Sequence, residues 1–284
     1  MIEVESLRFQ YAGATSRAVD DVSFTVGPGQ VFGFLGPSGA GKSTVQKILI
    51  KLLPLQQGAV RYDGAALPGL GRGFFEQVGV SFEHPNLFPK LTGRENLTAF
   101  AGLYANAPVD IDALMARVGL GDARDRLAGA YSKGMKQRLV FCRALLHQPR
   151  FLFLDEPTSG LDPATAQVIM DVIREQRDRG AAVLLTTHNM AVADALCEEL
   201  VLLNDGRVVA RGSPRDLKLA HGQRLIRVEW RAGGDLRTET LSLDLDADHA
   251  RLKELLDGGA VETVHSQEAT LEQVFIKLTG RGLS

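Results

Sequence analysis

One nine-residue run constrains the fold more than any other part of the chain: Gly36-Pro37-Ser38-Gly39-Ala40-Gly41-Lys42-Ser43-Thr44. It follows an apolar segment, Val31 to Leu35, that reads as a buried strand, and it opens a helical stretch from Ser43 to Leu53 that stops at Pro54. The run matches G-x-x-x-x-G-K-[ST] in full, and strand–loop–helix is the setting that gives the pattern meaning. Glycines at 36, 39 and 41 let backbone N–H groups turn inward around phosphate oxygens, next to the positive end of a helix. In such a loop Lys42 reaches the β- and γ-phosphates and the Ser43 hydroxyl ligates Mg²⁺. A buried strand feeding a helix in this way also commits the chain to an α/β layering.

A second feature far downstream completes the first. Phe151 to Leu154 is a short apolar strand that ends in two adjacent acids, Asp155 and Glu156. Open α/β sheets bind ligands beyond the carboxyl ends of their strands, so this is where a metal–nucleotide site belongs. Asp155 can hold Mg²⁺ and Glu156 can position or deprotonate a water. Together with the upstream loop, the pair implies nucleotide hydrolysis. In the same stretch, Ser132-Lys133-Gly134-Met135 forms a polar loop at the start of an apparent helix.

Composition excludes several classes. A length of 284 residues allows one large or two modest domains. The formal charge of −2 gives no electrostatic footprint for nucleic acid, and none is expected as a partner. Cys142 and Cys197 lie within apparent helices without metal-ligand spacing, so buried, reduced thiols and a cytoplasmic setting are expected. The start, MIEVESLRFQY, alternates like a strand and lacks a signal-peptide profile. No apolar run approaches the roughly 18 residues of a membrane-spanning helix, so any membrane process needs a second chain.

Along the chain, Ile2–Phe9 and Val19–Val26 read as strands forming an antiparallel edge, and Gly58–Asp63 and Val78–Phe82 as further strands. Residues 86 to 148 turn helical and interrupt the α/β alternation as an inserted subdomain. Alternation resumes at Phe151, and Asp162-Pro163 looks like an N-cap followed by proline in the first turn. Asp205-Gly206 between two apolar runs signals a hairpin. After Ser213-Pro214 the composition changes, and residues 222–284 read as a small α+β appendage, with Thr270 and Gln273 as a capping box for its last helix. The expected fold class is therefore α/β: a P-loop NTPase (RecA-like) core over residues 1–216, with an inserted helical subdomain and a C-terminal accessory domain.

The assembled residues resemble the nucleotide-binding subunits of ABC transporters, over residues 1 to about 216. Gly36–Thr44 resembles their Walker A and Phe151–Glu156 their Walker B with its catalytic glutamate. Ser159–Asp162 resembles the D-loop, with Asp162 as its acid. His188, after a strand, resembles the switch histidine, and Tyr11 stands where the family stacks an aromatic ring on adenine. Ser132-Lys133-Gly134-Met135 takes the place of the LSGGQ signature. The wording YSKGMKQR and the C-terminal segment from Ala269 to Arg281 look like the stand-alone ATPase subunits of drug-export and sodium-export systems, such as the daunorubicin-resistance type.

The resemblance implies an ATP- and Mg²⁺-dependent ATPase, peripheral on the inner face of the cell membrane, that powers an integral-membrane permease on a separate chain. It also implies a homodimer or pseudo-dimer, because the signature loop caps the γ-phosphate bound by the opposite subunit. Lys42, Glu156 and His188 would be its catalytic residues. Each residue has a plainer competing role: Tyr11 as core packing, His188 as a capping or core histidine, Asp162 as a helix cap. Lys133 fits a solvated side chain better than an added anion-binding charge, and Met135 fits helix packing.

One departure from the family concerns the glutamine that follows the strand Val78–Phe82, where this chain has Glu83. A carboxylate is a good Mg²⁺ ligand, so Glu83 is expected to keep the metal-linked role; an inconsequential loop acid is the alternative. The segment Glu83–Pro89 corresponds to the groove that receives a short helix of the membrane partner, where Leu87 and Phe88 would be exposed. Two other functions compete with export. One is a soluble ABC-type ATPase acting on ribosomes or DNA, and the other a sensor module in which the appendage binds a ligand or stabilises the dimer.

Overall fold

The structure is a computed structural model that describes residues 1–267 and 269–280. Residue 268 and residues 281–284, which include the end of the expected appendage, lie outside the described residues. The chain divides into two units, Met1–Ala210 and a second that begins at Arg211.

The first unit opens with β1 (Ile2–Phe9) and β2 (Val19–Val26), continues through β3 (Gln30–Leu35) and α1 (Lys42–Leu49), and then adds β4 (Gln57–Tyr62) and β5 (Ala65–Ala66). Strands β2, β1, β4 and β5 form a four-stranded sheet in that order, with β1 antiparallel to both neighbours. The antiparallel strands that the sequence suggests as an edge thus make a sheet of their own. Alternation explains why: β2 buries Val19, Val22, Phe24 and Val26 and exposes residues between them, as a one-faced sheet requires.

The second sheet holds the central strand β3. It runs β10 (Arg207–Gly212), β9 (Glu199–Asn204), β3, β8 (Ala182–Thr187), β7 (Phe151–Asp155), β6 (Val78–Ser81). The pairings β3–β8, β3–β9, β7–β8 and β6–β7 are all parallel. Its inner strands are continuous apolar runs because helices or the other sheet cover both faces. Phe24 of β2 stacks on Phe32 of β3 at 5.2 Å and meets Phe34 edge-on at 4.8 Å, so aromatic contacts join the two sheets behind the phosphate loop. Asp205 and Gly206 both have positive φ, 47° and 77°, which is the primed turn that the Asp-Gly signal implies.

Helix α1 ends at Leu49, four residues short of the expected stop. Lys51 adopts a left-handed φ of 61°, and the N–H groups of Leu52 and Leu53 close back onto the Lys47 carbonyl at 2.8 and 3.0 Å. A lysine in that position carries no glycine-like signal, so the sequence reading overran.

Between the neighbouring strands β6 and β7 lie α2 (Gly93–Ala101), α3 (Ile111–Arg117) and α4 (Lys133–Leu145). Thr92 and Glu95 cap α2 reciprocally, and Asp110 caps α3. Helix α4 lies on β6 so closely that a Cβ at buried Gly79 would sit 2.1 Å from the Ala144 carbonyl oxygen. Helices α5 (Pro163–Asp178) and α6 (Met190–Leu196) complete the crossovers. Cys142 and Cys197 are buried, free thiols, and burial pushes Cys142 up to about 12.

The second unit contains α7 (Pro214–His221), β11 (Leu225–Ala232), β12 (Asp235–Ser242), α8 (Asp246–Asp257), β13 (Val261–Gln267) and α9 (Leu271–Thr279). Its antiparallel sheet runs β12-β11-β13 around a small core of Val228, Leu241 and Leu255. The capping box forms as expected: Gln273 N–H donates to Thr270 Oγ1 at 3.2 Å, and Thr270 N–H donates to Gln273 Oε1 at 2.9 Å. The division falls at Ala210/Arg211 rather than at 216, because α7 packs on α9 within the second unit.

Gly79→Ala is expected to destabilise the chain by about 1–3 kcal/mol, the usual cost of overpacking, measured by urea denaturation. Gly69→Ala, where an added Cβ meets nothing within 4 Å, should leave the midpoint unchanged.

Candidate functional site

The phosphate loop leaves the end of β3 and enters α1 through a Gly41 N-cap with φ of 104°. A Cβ at Gly41 would lie 2.3 Å from the Ala18 carbonyl oxygen, and one at Gly36 would lie 2.2 Å from that of Leu203. Both positions are therefore closed to any side chain. Gly39 needs its glycine for the φ of 83° alone, since an added Cβ there meets nothing. Pro37, Ser38 and Ala40 fill the remaining turns, with Ala40 N–H donating to the Pro37 carbonyl at 3.2 Å. Lys42 is buried, and its Nζ donates to the Gly36 and Pro37 carbonyls at 2.6 and 3.0 Å. Burial holds its pKa below the ordinary lysine value, while the charges of Glu156, Asp155 and Glu83 pull it part-way back.

Strands β3, β7 and β8 bring the acids to this loop. Asp155 pairs in register with Thr186 of β8 and accepts a hydrogen bond from its Oγ1. The Ser43 hydroxyl faces the same carboxylate, 3.3 Å from Oδ2. Burial pushes the Asp155 carboxyl above the usual range; the Thr186 and Ser43 hydroxyls oppose that rise, and the Glu83 and Glu156 charges add to it. This is the electrostatic profile of a site that gains from a cation.

Glu156 is 7 % exposed and has φ of 49°, an unusual left-handed conformation for a non-glycine residue. Its carboxylate accepts from Thr187 Oγ1 at 3.0 Å and from the His188 backbone N–H at 2.8 Å. The His188 Nδ1 lies 2.7 Å from the same Oε1. The His188 side chain is otherwise 58 % exposed, so it is not a core histidine.

Tyr11 is 43 % exposed, its hydroxyl 3.2 Å from Thr44 Oγ1 and its ring edge-on to Phe9 at 4.9 Å. It is a half-open aromatic face beside the start of α1, not a core residue. Glu83 is exposed on the segment after β6, near enough for its charge to act on both Lys42 and Asp155. Among the described residues no three His, Cys, Asp or Glu side chains converge as a metal cage. The hard-oxygen pair Ser43 and Asp155 nevertheless fits Mg²⁺, which keeps several of its waters.

Ser132 caps α4, accepting from the Met135 N–H at 3.2 Å. Tyr131 before it is buried and donates its hydroxyl to the Ala123 carbonyl at 2.6 Å, which fixes the loop. Lys133 is exposed, and Gly134 and Met135 are half-buried. A Cβ at Gly134 would approach Leu161 at 3.2 Å, so this loop and the Ser159–Asp162 loop are packed together. Asp162 caps α5 by accepting from the Thr165 N–H at 3.0 Å, and bonding to Thr165 holds its pKa below the ordinary value.

The chain is similar to known proteins in sequence and fold. Residues 19–159 match the ABC transporter family. A fluoroquinolones export ATP-binding protein of Mycobacterium tuberculosis is 49 % identical over all of this chain and 95 % of its own length. This chain belongs to the ABC transporter ATPase family. The daunorubicin/doxorubicin resistance ATP-binding protein of Streptomyces peucetius is 38 % identical over 80 % of this chain and 69 % of its own length. A solved dimeric ATP-binding cassette in a post-hydrolysis state, bound to ADP and Pi, superimposes with a TM-score of 0.67 at 25 % identity, over 75 % of this chain and 98 % of that one. The ABC ATPase therefore binds nucleotide and hydrolyses ATP, on a fold that sequence had indicated.

Four residues of the ABC ATPase site escaped sequence reasoning. Thr186 and Thr187 hold the two carboxylates, and their signal was the Thr-Thr pair in register with Asp-Glu. Gln137 and Arg143 of α4 hold the segment around Glu83: Gln137 Nε2 donates to the Phe82 carbonyl at 3.5 Å, and Arg143 Nη1 to the Asn86 carbonyl at 2.7 Å. Both are buried polar residues in an apolar helix face, which is itself a signal that something must satisfy them.

Asp155→Asn should leave the nucleotide-free protein as stable as the parent or more so, by up to about 2 kcal/mol, as relief of a functional-site charge often does. Thermal melts should then show no added stabilisation when Mg²⁺ accompanies ATP; a normal Mg²⁺-dependent gain would contradict the role of Asp155.

Proposed function

We propose that the chain is the ATP-hydrolysing subunit of an exporter, working as a dimer on the inner face of the membrane with a separate integral-membrane permease. The observation that carries this reading is the convergence of Lys42, Ser43, Asp155, Glu156 and His188 at the ends of β3, β7 and β8. Export is supported by the export and drug-resistance functions of the relatives, and the dimer by the dimeric cassette of like fold. Among the described residues no helix is long and apolar enough to cross a membrane.

The chemistry is positioning and charge stabilisation. Backbone N–H groups of Gly36–Thr44 and the Lys42 ammonium receive the phosphates, and Tyr11 offers its ring to the adenine. Ser43 and Asp155 would hold Mg²⁺, which when bound offsets charge on the phosphate oxygens. Glu156 orients the attacking water and accepts its proton. Thr187 and the His188 N–H fix the carboxylate at both oxygens, so it meets the water in one orientation. His188 Nδ1 is held on Glu156, which leaves the other ring nitrogen to contact the γ-phosphate. The loop Ser132–Met135 meets the nucleotide of the opposite subunit through Ser132 and Gly134, at the N-terminus of a 13-residue helix whose dipole favours an anion. Asp162 caps its helix and, packed beside that loop through Leu161, belongs to the same subunit boundary.

The permease contact is the groove between β6 and the inserted helices. A cavity of 480 Å³ there is lined by Leu52, Phe75, Phe82, Phe100 and Leu103 among others. Leu52, Phe75, Phe88 and Leu103 are 48–72 % exposed, an apolar patch suited to receiving a partner helix. Leu87 is half-buried beside it.

Glu156→Gln should lower kcat at least about 100-fold, as loss of a general base does, while retaining ATP and accumulating a homodimer by light scattering. Monomers at saturating ATP and Mg²⁺ would overturn the dimer model. Glu83→Gln should shift the Mg²⁺ concentration for half-maximal ATPase activity; unchanged rate, metal dependence and transport would reduce Glu83 to an ordinary surface acid.

A further inference from the structure

Strand β12 lies at one edge of the sheet β12-β11-β13, and among the described residues β11 is its only strand partner. The pairing runs in continuous register from Ala232↔Asp235 to Leu225↔Ser242. At the other edge, β13 meets β11 with a register break between Glu229 and Trp230, the kind of bulge that blunts an edge. Strand β12 carries neither bulge nor proline. Its Leu236, Arg237, Thr238 and Thr240 are exposed, Leu236 by 54 %.

Hydrogen bonding marks which part of that edge is open. The Leu243 N–H donates to the Arg224 carbonyl at 2.7 Å, so by the alternation of an antiparallel ladder the odd-numbered residues of β12 bond to β11. The even-numbered ones turn their N–H and C=O groups away from it. Ser242, the last of these, already donates its N–H to Asp248 Oδ2 at 2.6 Å. Pairing with a further strand is thus left to Asp235–Leu241, a stretch centred on Thr238.

An edge that meets its own copy across a two-fold axis must match its own sequence. Centred on Thr238, antiparallel pairing sets Thr238 opposite Thr238, Leu236 opposite Thr240, and Arg237 opposite Glu239 on both sides of the axis. The opposite charges attract across the strands, and the β-branched threonines suit the seam. Glu239 has room for this: its Oε2 accepts from Arg251 at 3.2 Å, and its side chain is still 35 % exposed. Centring one residue earlier would set Arg237 against Arg237 and Asp235 against Glu239. Centring one later would set Glu239 against Glu239 and would need the occupied Ser242 N–H. Like charges disfavour both registers, and a shift of two either shortens the seam or again needs Ser242.

We propose that two copies of the chain join along β12, antiparallel and centred on Thr238, to continue their sheets into one of six strands. A single strand pair covers far less than the roughly 1,200–2,000 Å² of a stable complex. The seam therefore closes when ATP already holds two chains together, and to that extent it rests on the dimer reading above. The accessory unit then acts as a second clasp between subunits, made of main-chain bonds and two charge pairs.

The test is disulfide formation in the full chain, where Cys142 and Cys197 are buried and do not compete. Thr238→Cys is placed in the Glu156→Gln background with ATP and Mg²⁺. Opposite residues of a hydrogen-bonded antiparallel pair lie about 5.5 Å apart at Cα, within disulfide reach. A dimeric disulfide product is expected, forming at least about tenfold more slowly without ATP. Thr240→Cys alone should give none, because its copy would lie roughly 14 Å away along the seam. Leu236→Cys mixed with Thr240→Cys should give the product. Arg237→Glu should slow the Thr238→Cys reaction at least about fivefold, and Arg237→Lys should not. A dimer seen by light scattering without the Thr238→Cys disulfide would overturn the seam and leave the ATPase dimer standing. Equal yields from Thr238→Cys and Thr240→Cys would overturn it as random collision. Monomers by scattering with no disulfide would overturn both readings together.

Discussion

The register of β7 against β8 is the constraint on which the site depends. With Asp155 opposite Thr186, the next residues along place Glu156 beside Thr187 and His188. Every donor to the two carboxylates on that side therefore comes from one neighbouring strand. A slip of one residue would turn each side chain to the wrong face. The threonine hydroxyls and one backbone N–H would then be lost together, and two adjacent acids would remain without partners in a largely apolar setting. The phenylalanine–leucine run of β7 and the valine–leucine–threonine run of β8, buried throughout, fix the register. The catalytic geometry is thus a by-product of how the core packs.

How much of this could be read from the sequence depended on the kind of signal. The phosphate loop and the acid pair were legible because glycine spacing and strand-terminal acids carry local chemistry. Strands β1 and β2 were found where alternation marked them, β3 where an apolar run did, and the Thr270–Gln273 cap where its capping residues stood. Missing from that reading was whatever arises between distant segments. The antiparallel strands close into their own sheet through the pairing of β1 with the distant β4, which no local spacing rule announces. The end of α1 was missed because Lys51 supplies a left-handed turn usually left to glycine. Placing the unit boundary needed the packing of α7 on α9, a contact between helices about fifty residues apart.

The inserted helices are tied to the core by polar groups that have little alternative. Gln137 and Arg143 are buried within α4, and burial lowers the Arg143 pKa, so both must find acceptors. They find them in the segment after β6, and the Arg143 guanidinium also lies 4.6 Å from the Phe100 ring centroid. The same helix begins at Ser132. One continuous rod therefore carries the signature loop at its tip and grips the approach to Glu83 along its flank.

That grip has an evolutionary side. The acceptors for Gln137 and Arg143 are the carbonyls of Phe82 and Asn86, and buried Asn96 likewise bonds the main chain of Phe88, Leu91 and Thr92. None of these ties reads the side chain of the residue it holds. Selection can therefore rewrite the side chains of residues 84 to 91 without disturbing the path of the backbone. A segment fastened in this way is free to diversify while the ATPase beneath it stays the same.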